Sequence, residues 1–350
     1  MERRKEIYAI CQKYDIIIIE DDPYWNLQYP SAGAMEARYR GTADTPQAPP
    51  DLYSRSYNAS GKSSGYAYLD SLVPSYLSVD TDGRVVRVDT FSKTIAPGSR
   101  LGWVTGQPAV IERFSRITES STQQPSGFVQ SLVAELILGP HAKEPASSTA
   151  ATTAVAKQQQ QQSSGWQMDG WVRWLDGLRN GYERRMQTIC STLEEGKYYV
   201  GERRSAAAAA SSSSSSTPES WEVVDKALMY DFSWPQGGMF VWVTIHLETH
   251  PLFSRFPPEK LSHALWMQLL QKPFLCLCSP GALFSPTPET LRESWRFLRL
   301  SFAAAAAEDI GDISKRFVDG CHAFWQRTDL DGIDDDEVNA EALNRMRIYC

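Results

Sequence analysis

The chain has 350 residues, of which 42% are hydrophobic and 22% are charged, and these proportions exclude a wholly disordered protein. Thirty-five basic side chains against 42 acidic ones give a net charge of −7, which disfavours binding to a nucleic acid backbone. No apolar run reaches the roughly 20 residues that cross a bilayer, and the mixed charges of residues 1–6 are not those of a signal peptide. The six scattered cysteines form no disulfide framework, so the sequence predicts a reducing, cytoplasmic location.

The first hundred residues predict a helix followed by strands. Apolar residues at helical spacing predict a helix over residues 2–14. The continuous β-branched run at 16–19 predicts a strand buried on both faces, as in a parallel sheet beneath helices. Residues 84–88 and 101–104 predict two more strands. Residues 31–66 are rich in Ser, Pro, Gly and Tyr, which predicts an insertion or long surface loop.

Helices and low-complexity tracts occupy the middle of the chain. Apolar periodicity predicts helices at 108–118 and 124–138, and one long helix at 166–196. The tracts at 142–164 and 204–217 consist mainly of Ala, Ser, Thr and Gln. Such segments cannot bury enough apolar surface to become ordered, so we predict disorder there.

The C-terminal half returns to strands. Strands are predicted at 239–245, 274–278 and 295–302, with helices near 259–271 and 304–326. Alternation of strands and helices predicts an α/β fold, with a large domain at 1–175 and a smaller α+β domain at 176–350. An acidic tail occupies 328–350. Cys276 and Cys278 would share one face of their strand, where core packing is favoured over metal binding.

Two of the predicted strands end in clusters of polar side chains. The first ends in Glu20-Asp21-Asp22-Pro23-Tyr24, and the second runs into Thr90-Phe91-Ser92-Lys93 and, seven residues after the lysine, Arg100. In open α/β sheets, ligands bind at the carboxyl ends of the strands. A ligand with an anionic group, a protonatable ring nitrogen and a carbonyl would use all of these groups, and pyridoxal phosphate has those features.

The segment Ser92-Lys-Thr-Ile-Ala-Pro-Gly-Ser-Arg-Leu-Gly-Trp103 resembles the lysine signature of the fold-type I, class I/II aminotransferases. The fungal aromatic-amino-acid and kynurenine/2-aminoadipate branch is the most similar. Residues 19–24, 235–242 and 298–302 are similar to three more motifs of that family, in the same order. The resemblance implies the pyridoxal-phosphate-dependent transferase (aspartate aminotransferase-like) fold, with a mainly parallel sheet and a smaller C-terminal α+β domain. It also implies a homodimer.

The resemblance assigns roles to individual residues. Lys93 would form the Schiff base with pyridoxal 5'-phosphate and then move the proton between substrate and cofactor. Asp21 would hold the pyridinium proton, and Tyr24 would donate to the phenolate oxygen. Thr90, Ser92 and Arg100 would hold the phosphate. Arg299, favoured over Arg296 by the family motif, would pair with the substrate carboxylate, and the turn at 237–238 would allow close backbone approach near the substrate.

The function implied is a transaminase that moves an amino group between an aromatic, or 2-aminoadipate- or kynurenine-like, amino acid and a 2-oxo acid such as 2-oxoglutarate. No nucleic acid, membrane or metal is implied. In this family a long segment precedes the helix equivalent to 2–14, and its motifs do not occur here. We therefore expect an incomplete large domain, with open sheet edges and open apolar faces. The alternative function is a truncated aminotransferase-like chain, a fragment or isoform, without turnover.

Overall fold

The computed structural model describes residues 1–42, 63–138, 167–201 and 225–332. The predicted low-complexity tracts, and most of the predicted acidic tail, lie outside these residues. The chain divides into two compact units, which we call unit 1 and unit 2. Unit 1 comprises Met1–Gly33, Pro49–Glu183 and Gln236–Gly238, and unit 2 comprises Ala34–Ala48, Arg184–Pro235 and Met239–Cys350. The division falls inside a long helix, after Glu183.

The elements before residue 139 follow the predicted order. They are α1 (Glu2–Lys13), β1 (Ile18–Asp21), α2 (Ala32–Tyr39), α3 (Ala67–Ser71), β2 (Val85–Thr90), β3 (Gly102–Thr105), α4 (Pro108–Ser120) and α5 (Gly127–Leu138). The predicted first helix, second and third strands and next two helices are confirmed within a few residues. Helix α2 corrects the prediction of one long loop over 31–66, because its run of Ala, Met, Glu and Arg favours a helix.

The sheet of unit 1 has the strand order β1-β2-β3. Strand β1 runs parallel to β2, whereas β2 pairs antiparallel with β3. The described part of this sheet therefore has one parallel and one antiparallel pairing rather than mainly parallel ones. Gly102 is required at the second pairing, since a Cβ atom there would lie 2.5 Å from the carbonyl oxygen of Asp89.

The prediction that the isoleucine run is buried on both faces is wrong. Strand β1 begins only at Ile18, and Ile17 and Ile19 are 64% and 72% exposed. Glu20, by contrast, is buried. Successive side chains of a strand point to opposite faces, so one face of β1 packs inside unit 1 while the other is open.

A single helix, α6 (Gln167–Gly196), runs from unit 1 into unit 2 and confirms the predicted long helix. In unit 1, its residues Val172 and Leu175 pack in a buried cluster with Tyr68 and Leu72. In unit 2 its buried face comprises Met186, Ile189, Cys190 and Leu193. Apolar residues at this helical spacing bury one stripe of the helix along its length.

Unit 2 contains two antiparallel sheets and covering helices. Its elements after α6 are β4 (Tyr198–Gly201), β5 (Asp225–Leu228), β6 (Tyr230–Phe232), β7 (Phe240–Ile245), α7 (Pro258–Leu269), β8 (Ser279–Pro280), α8 (Pro288–Glu293), β9 (Phe297–Ser301) and α9 (Ile310–Trp325). Strands β4 and β5 pair with each other, and the larger sheet has the order β6-β7-β9-β8. Val241 and Val243 of β7 and Leu298 and Leu300 of β9 are buried.

The predicted strand at 274–278 is wrong, since only Ser279–Pro280 pair in that region. Burial nevertheless alternates there: Cys276 and Cys278 are buried, and Leu277 is 81% exposed. The alternation therefore reports which side chains enter the core, not hydrogen bonding to a neighbouring strand. Burial raises the pKa of the Cys276 thiol to about 11, and the described residues contain no cluster suited to a metal ion.

Candidate active site

Strand β1 delivers two adjacent carboxylates to opposite faces of the sheet of unit 1. Glu20 pairs in register with Arg87, and Asp21 with Val88. Glu20 is buried. Asp21 is exposed, and its side-chain carboxylate makes no hydrogen bond or ion pair with any described residue. The acid predicted to hold the ring nitrogen is therefore available to a ligand.

Glu20 anchors the strand that carries Asp21. Its carboxylate accepts a hydrogen bond from Arg4 of α1 at 2.9 Å, from the Tyr76 backbone N–H at 3.1 Å, and from the Ser75 hydroxyl. The Arg87 guanidinium lies 3.5 Å away. Because charge-assisted hydrogen bonds are short and strong, this network fixes the end of β1 against three other segments.

Strand β2 ends in a tight turn that presents two hydroxyl groups. The Thr90 side chain accepts from the Ser92 backbone N–H at 3.0 Å, which caps a 3-10 turn over Phe91–Lys93. The Thr90 hydroxyl also donates to the Ser92 hydroxyl at 3.0 Å. Just after the turn, Trp174 of α6 donates to the Thr94 carbonyl at 2.7 Å. Lys93 therefore lies at the end of a turn that is fixed by Thr90 before it and by the Trp174–Thr94 hydrogen bond after it.

Lys93 lies against an aromatic ring. Its Nζ atom is 5.5 Å from the ring centre of Tyr24, and both side chains are half-buried. Lys93 forms no ion pair with a carboxylate in the described ranges. The roles that the resemblance assigns to Lys93 and Tyr24 remain predictions.

The two strand ends that carry these groups are close. Thr90 lies two residues beyond Val88, which is the register partner of Asp21. Neighbouring strands are about 4.8 Å apart and rise about 3.3 Å per residue, so the Cα atoms of Asp21 and Thr90 are roughly 8 Å apart. The acid and the hydroxyl turn therefore flank one edge of the sheet.

The predicted glycine turn packs onto this region. Gly237 bridges to Gln28, and a Cβ atom on it would lie 2.8 Å from the Leu27 carbonyl oxygen. Gly238 has a φ of +84°, and a Cβ atom there would lie 3.8 Å from the Tyr24 ring. Gly237 therefore packs so closely against the segment after Tyr24 that no larger residue fits there.

The two arginines that were predicted to bind anions contact other groups within their own units. Arg100 is exposed, has a φ of +45°, and directs its guanidinium to the Pro97 carbonyl at 3.4 Å, not to the hydroxyls of Thr90 and Ser92. Arg299 belongs to unit 2, where it lies 4.1 Å from the ring centres of both Phe240 and Phe284. Their anion-binding roles remain predictions.

Sequence reasoning missed the buried side of the same sheet. Arg87 binds both carboxylate oxygens of Asp89 at 2.9 Å and stacks on Trp25, with 4.9 Å to the ring centre. Burial is the main cause that raises the pKa of Asp22, with Arg87 opposing it. Alternation along β2, which puts Arg87 and Asp89 on one face, was the available signal.

The chain matches the family of class I and II aminotransferases over residues 2–195, more than half of its length, and it belongs to that family. The family depends on pyridoxal phosphate. No described helix is long and apolar enough to cross a membrane.

Individual relatives indicate the branch of the family to which the chain is most similar. The chain is 36% identical over 261 residues to L-tyrosine:2-oxoglutarate aminotransferase from Tapinella panuoides, which covers 74% of this chain and 36% of that protein. It is 30% identical over 319 residues to an aromatic amino acid aminotransferase from Schizosaccharomyces pombe, which covers 91% and 50%. The chain thus spans about a third to a half of these relatives, and it belongs with the fungal aromatic amino acid aminotransferases.

The fold agrees with this assignment. Aminotransferase Aro8 from Candida albicans superposes with a TM-score of 0.61 at 28% identity, covering 93% of this chain and 54% of that one. The chain therefore has the fold-type I aminotransferase fold over about half of the full-length structure.

Proposed function

We propose that this chain is a pyridoxal-phosphate-dependent transaminase that transfers an amino group from an aromatic amino acid to a 2-oxo acid. The observation that carries the proposal is the Lys93 amine at the end of the hydroxyl turn, 5.5 Å from the Tyr24 ring centre and without a carboxylate partner in the described residues. Relatives with 36% and 30% identity act, by their names, on tyrosine with 2-oxoglutarate and on aromatic amino acids.

The residues present fit the cofactor at its amine-reactive and ring-nitrogen ends. Lys93 offers an amine, Asp21 an uncompensated carboxylate, and Thr90 and Ser92 two hydroxyls. When bound, pyridoxal phosphate supplies an electron sink for the carbanion at the substrate Cα. Arg100 fits less well, since its guanidinium donates to Pro97.

Each residue of the proposed site would then have its own role in the reaction. The Nζ atom of Lys93 would carry the proton to and from the substrate Cα. The Asp21 carboxylate would hold a proton on the ring nitrogen, and the Tyr24 hydroxyl would donate to the ring oxygen. Thr90 and Ser92 would donate to phosphate oxygens, and Arg299 would pair with the substrate carboxylate. Glu20, held by Arg4 and Ser75, would keep Asp21 in position.

We also propose a homodimer in a reducing compartment. Helices α4 and α5 expose apolar side chains, among them Phe114, Ile117, Phe128 and Leu132, which a second copy would cover. The cysteines of the described residues are free and buried. Sedimentation of the purified chain at several concentrations tests the dimer, and a strictly monomeric chain would contradict it.

The function is tested by supplying pyridoxal phosphate, L-tyrosine and 2-oxoglutarate to the purified chain and measuring glutamate. We expect saturable cofactor binding and glutamate formation in the wild type and in Lys315→Ala, an exposed lysine of unit 2, and neither in Lys93→Ala. Equal glutamate formation by wild type and Lys93→Ala would contradict the proposal.

A second candidate is an aminotransferase-like chain without turnover. Two observations favour this candidate. The chain spans only about a third to a half of the length of these relatives, and the Arg100 guanidinium points to the Pro97 carbonyl. Cofactor binding that depends on Lys93 without any glutamate formation would support this candidate over the transaminase.

A further inference from the structure

Unit 1 contains a cavity of about 340 Å³ whose lining does not include Lys93. Its volume falls within the range of small-molecule sites in proteins. Of the residues predicted for the cofactor site, only Thr90 lines it in the described part of the chain; Asp21, Tyr24, Ser92 and Lys93 do not. The cavity therefore adjoins the predicted cofactor residues through Asp22, Pro23 and Thr94 but is lined mainly by other side chains.

The cavity lies on the buried face of the sheet. Arg87 and Asp89 of β2 both line it, and they alternate with Val88, the register partner of Asp21. Side chains two residues apart on a strand share a face, so Arg87 and Asp89 face away from Asp21. A ligand in the cavity would approach the sheet from the side opposite to Asp21.

Tryptophan side chains form much of the wall. Trp25, Trp103 and Trp171 line the cavity together with apolar residues such as Leu77 and Leu175. Indole faces carry negative electrostatic potential and attract cations, and Trp25 already receives the Arg87 guanidinium. These walls suit a flat aromatic ligand or a cationic one.

The polar groups of the cavity are incompletely paired. The side chain of Arg87 is 6% exposed, and its Nη1 atom lies 3.5 Å from Glu20 Oε2 in an ion pair but makes no hydrogen bond with a described residue. The other two guanidinium nitrogens donate to Asp89. A buried N–H group that makes no hydrogen bond costs free energy even beside an opposite charge, so an acceptor atom on a ligand would be favoured at this point.

The charges around the cavity do not cancel. Arg4 and Arg87 face the carboxylates of Glu20, Asp89 and Asp22, which leaves one negative charge in excess when all are ionised. Asp22 lines the cavity, is half-buried, and forms no ion pair within 4.0 Å in the described ranges. Burial raises the pKa of Asp22, and the nearby Arg87 and Arg4 only partly oppose this, so a cation in the cavity would favour the ionised carboxylate.

We propose that this cavity binds a small protonated aromatic amine. The ammonium group would pair with Asp22, the ring would pack between the tryptophans, and a hydroxyl oxygen on the ring would accept from Nη1 of Arg87. A carboxylate ligand is disfavoured by the excess negative charge, and a purely apolar ligand would leave Asp22 without an ion-pair partner and Nη1 of Arg87 without a hydrogen bond.

Equilibrium dialysis of the full chain against tyramine tests this, with 4-hydroxyphenylethanol as a neutral probe of matched shape. We expect saturable binding of tyramine, at least tenfold weaker binding of the alcohol, and at least tenfold weaker tyramine binding by Asp22→Asn. Asp319→Asn, which removes an exposed carboxylate of unit 2, should bind like wild type. Lys93→Ala should also bind tyramine unchanged, which separates this cavity from the cofactor site.

The comparison of the two probes on wild-type protein needs no variant, so it remains decisive if Asp22→Asn folds poorly. Equal affinity for amine and alcohol, absence of saturation, or loss of tyramine binding in Lys93→Ala would each overturn the proposal. A folded Asp22→Asn that binds tyramine like wild type would do the same.

Discussion

The sheet of unit 1 and the larger sheet of unit 2 bury their apolar residues differently. In unit 2, the inward residues of β7 and β9 are almost fully buried, and α7 and α9 cross so closely that a Cβ atom on Gly320 would lie 2.6 Å from Leu269. In unit 1, the face of β1 that carries Ile19 and Asp21 is open. Elements with fewer buried apolar contacts open at lower free energy, so the sheet that carries Lys93 belongs to the less protected unit.

This contrast predicts that the same Phe→Ala substitution changes the free energy of unfolding much more in unit 2 than in unit 1. Phe317 of α9 is fully buried and packs edge-on against Tyr230 at 5.4 Å between ring centres, whereas Phe128 of α5 is 79% exposed. Phe317→Ala should lower the free energy of unfolding by about 3–5 kcal/mol because it leaves a cavity. Phe128→Ala should change it by about 0.5 kcal/mol or less when the chain is dilute enough to be monomeric. Denaturant unfolding measures both, and similar losses would contradict the contrast.

The next largest effect tests what holds β1 in place. Glu20→Ala leaves Arg4 and Arg87 without their shared carboxylate, so we expect a loss of about 3 kcal/mol. Glu2→Ala removes the exposed ion pair with Lys5 on the same α1 helix and should leave the free energy of unfolding nearly unchanged, because solvent screens exposed pairs. If both variants unfold at the same denaturant concentration, the Glu20 network does not anchor the strand.

Two glycines of unit 1 give changes of opposite sign. A Cβ atom on Gly237 would lie 2.8 Å from the Leu27 carbonyl oxygen, so Gly237→Ala should destabilise the protein by about 1–3 kcal/mol. Gly181 lies inside helix α6 with nothing within 4 Å of the added atom, so Gly181→Ala should stabilise by about 0.5–1 kcal/mol. Thermal unfolding of both variants tests the two signs, and a lower melting temperature for Gly181→Ala than for the wild type would contradict the prediction.

The smallest effect concerns pH and unit 2. The Nδ1 atom of His250 accepts from the Leu252 N–H at 3.0 Å, and Nε2 donates to the Phe324 carbonyl at 2.9 Å, so the buried ring is neutral. Burial lowers the pKa of His250 below its usual 6.5. Below pH 6.5 the unfolded state therefore binds more protons than the folded state, and the free energy of unfolding falls as pH falls.

The matching experiment measures unfolding between pH 7 and pH 5 in wild type and in His250→Asn, whose side-chain oxygen retains an acceptor for Leu252. The wild type should lose up to about 1 kcal/mol more than the variant over this range. Parallel pH profiles would show that His250 does not contribute.

Local signals in the sequence predicted a large share of the fold and part of the site. Helical periodicity identified α1, α4, α5 and α6, and the strand-end motifs identified the turn that presents Lys93. The pairing of Glu20 with Arg4 and Arg87 was not predicted, because its partners are distant in sequence and meet only when β1, β2 and α1 pack together. The β-branched run before Glu20 was misjudged for the same reason, since apolarity does not reveal which face another element covers.

The 274–278 segment shows a different limit. Alternating apolar residues are typical of strands, but a strand also requires a neighbour with which to exchange hydrogen bonds. Here the Cys276 N–H donates to the Leu269 carbonyl at the end of α7 instead. The pattern correctly indicates buried cysteines and does not determine the hydrogen bonding.

The central claim is that Lys93 is the residue of this chain to which pyridoxal phosphate attaches. Borohydride reduction of the full chain with the cofactor, followed by peptide mass mapping, tests it most directly. We predict the phosphopyridoxyl mass on the peptide that contains Lys93, at a cofactor concentration that leaves Lys13 and Lys315 unmodified. An unmodified Lys93 peptide, or equal labelling of all three lysines, would contradict the claim.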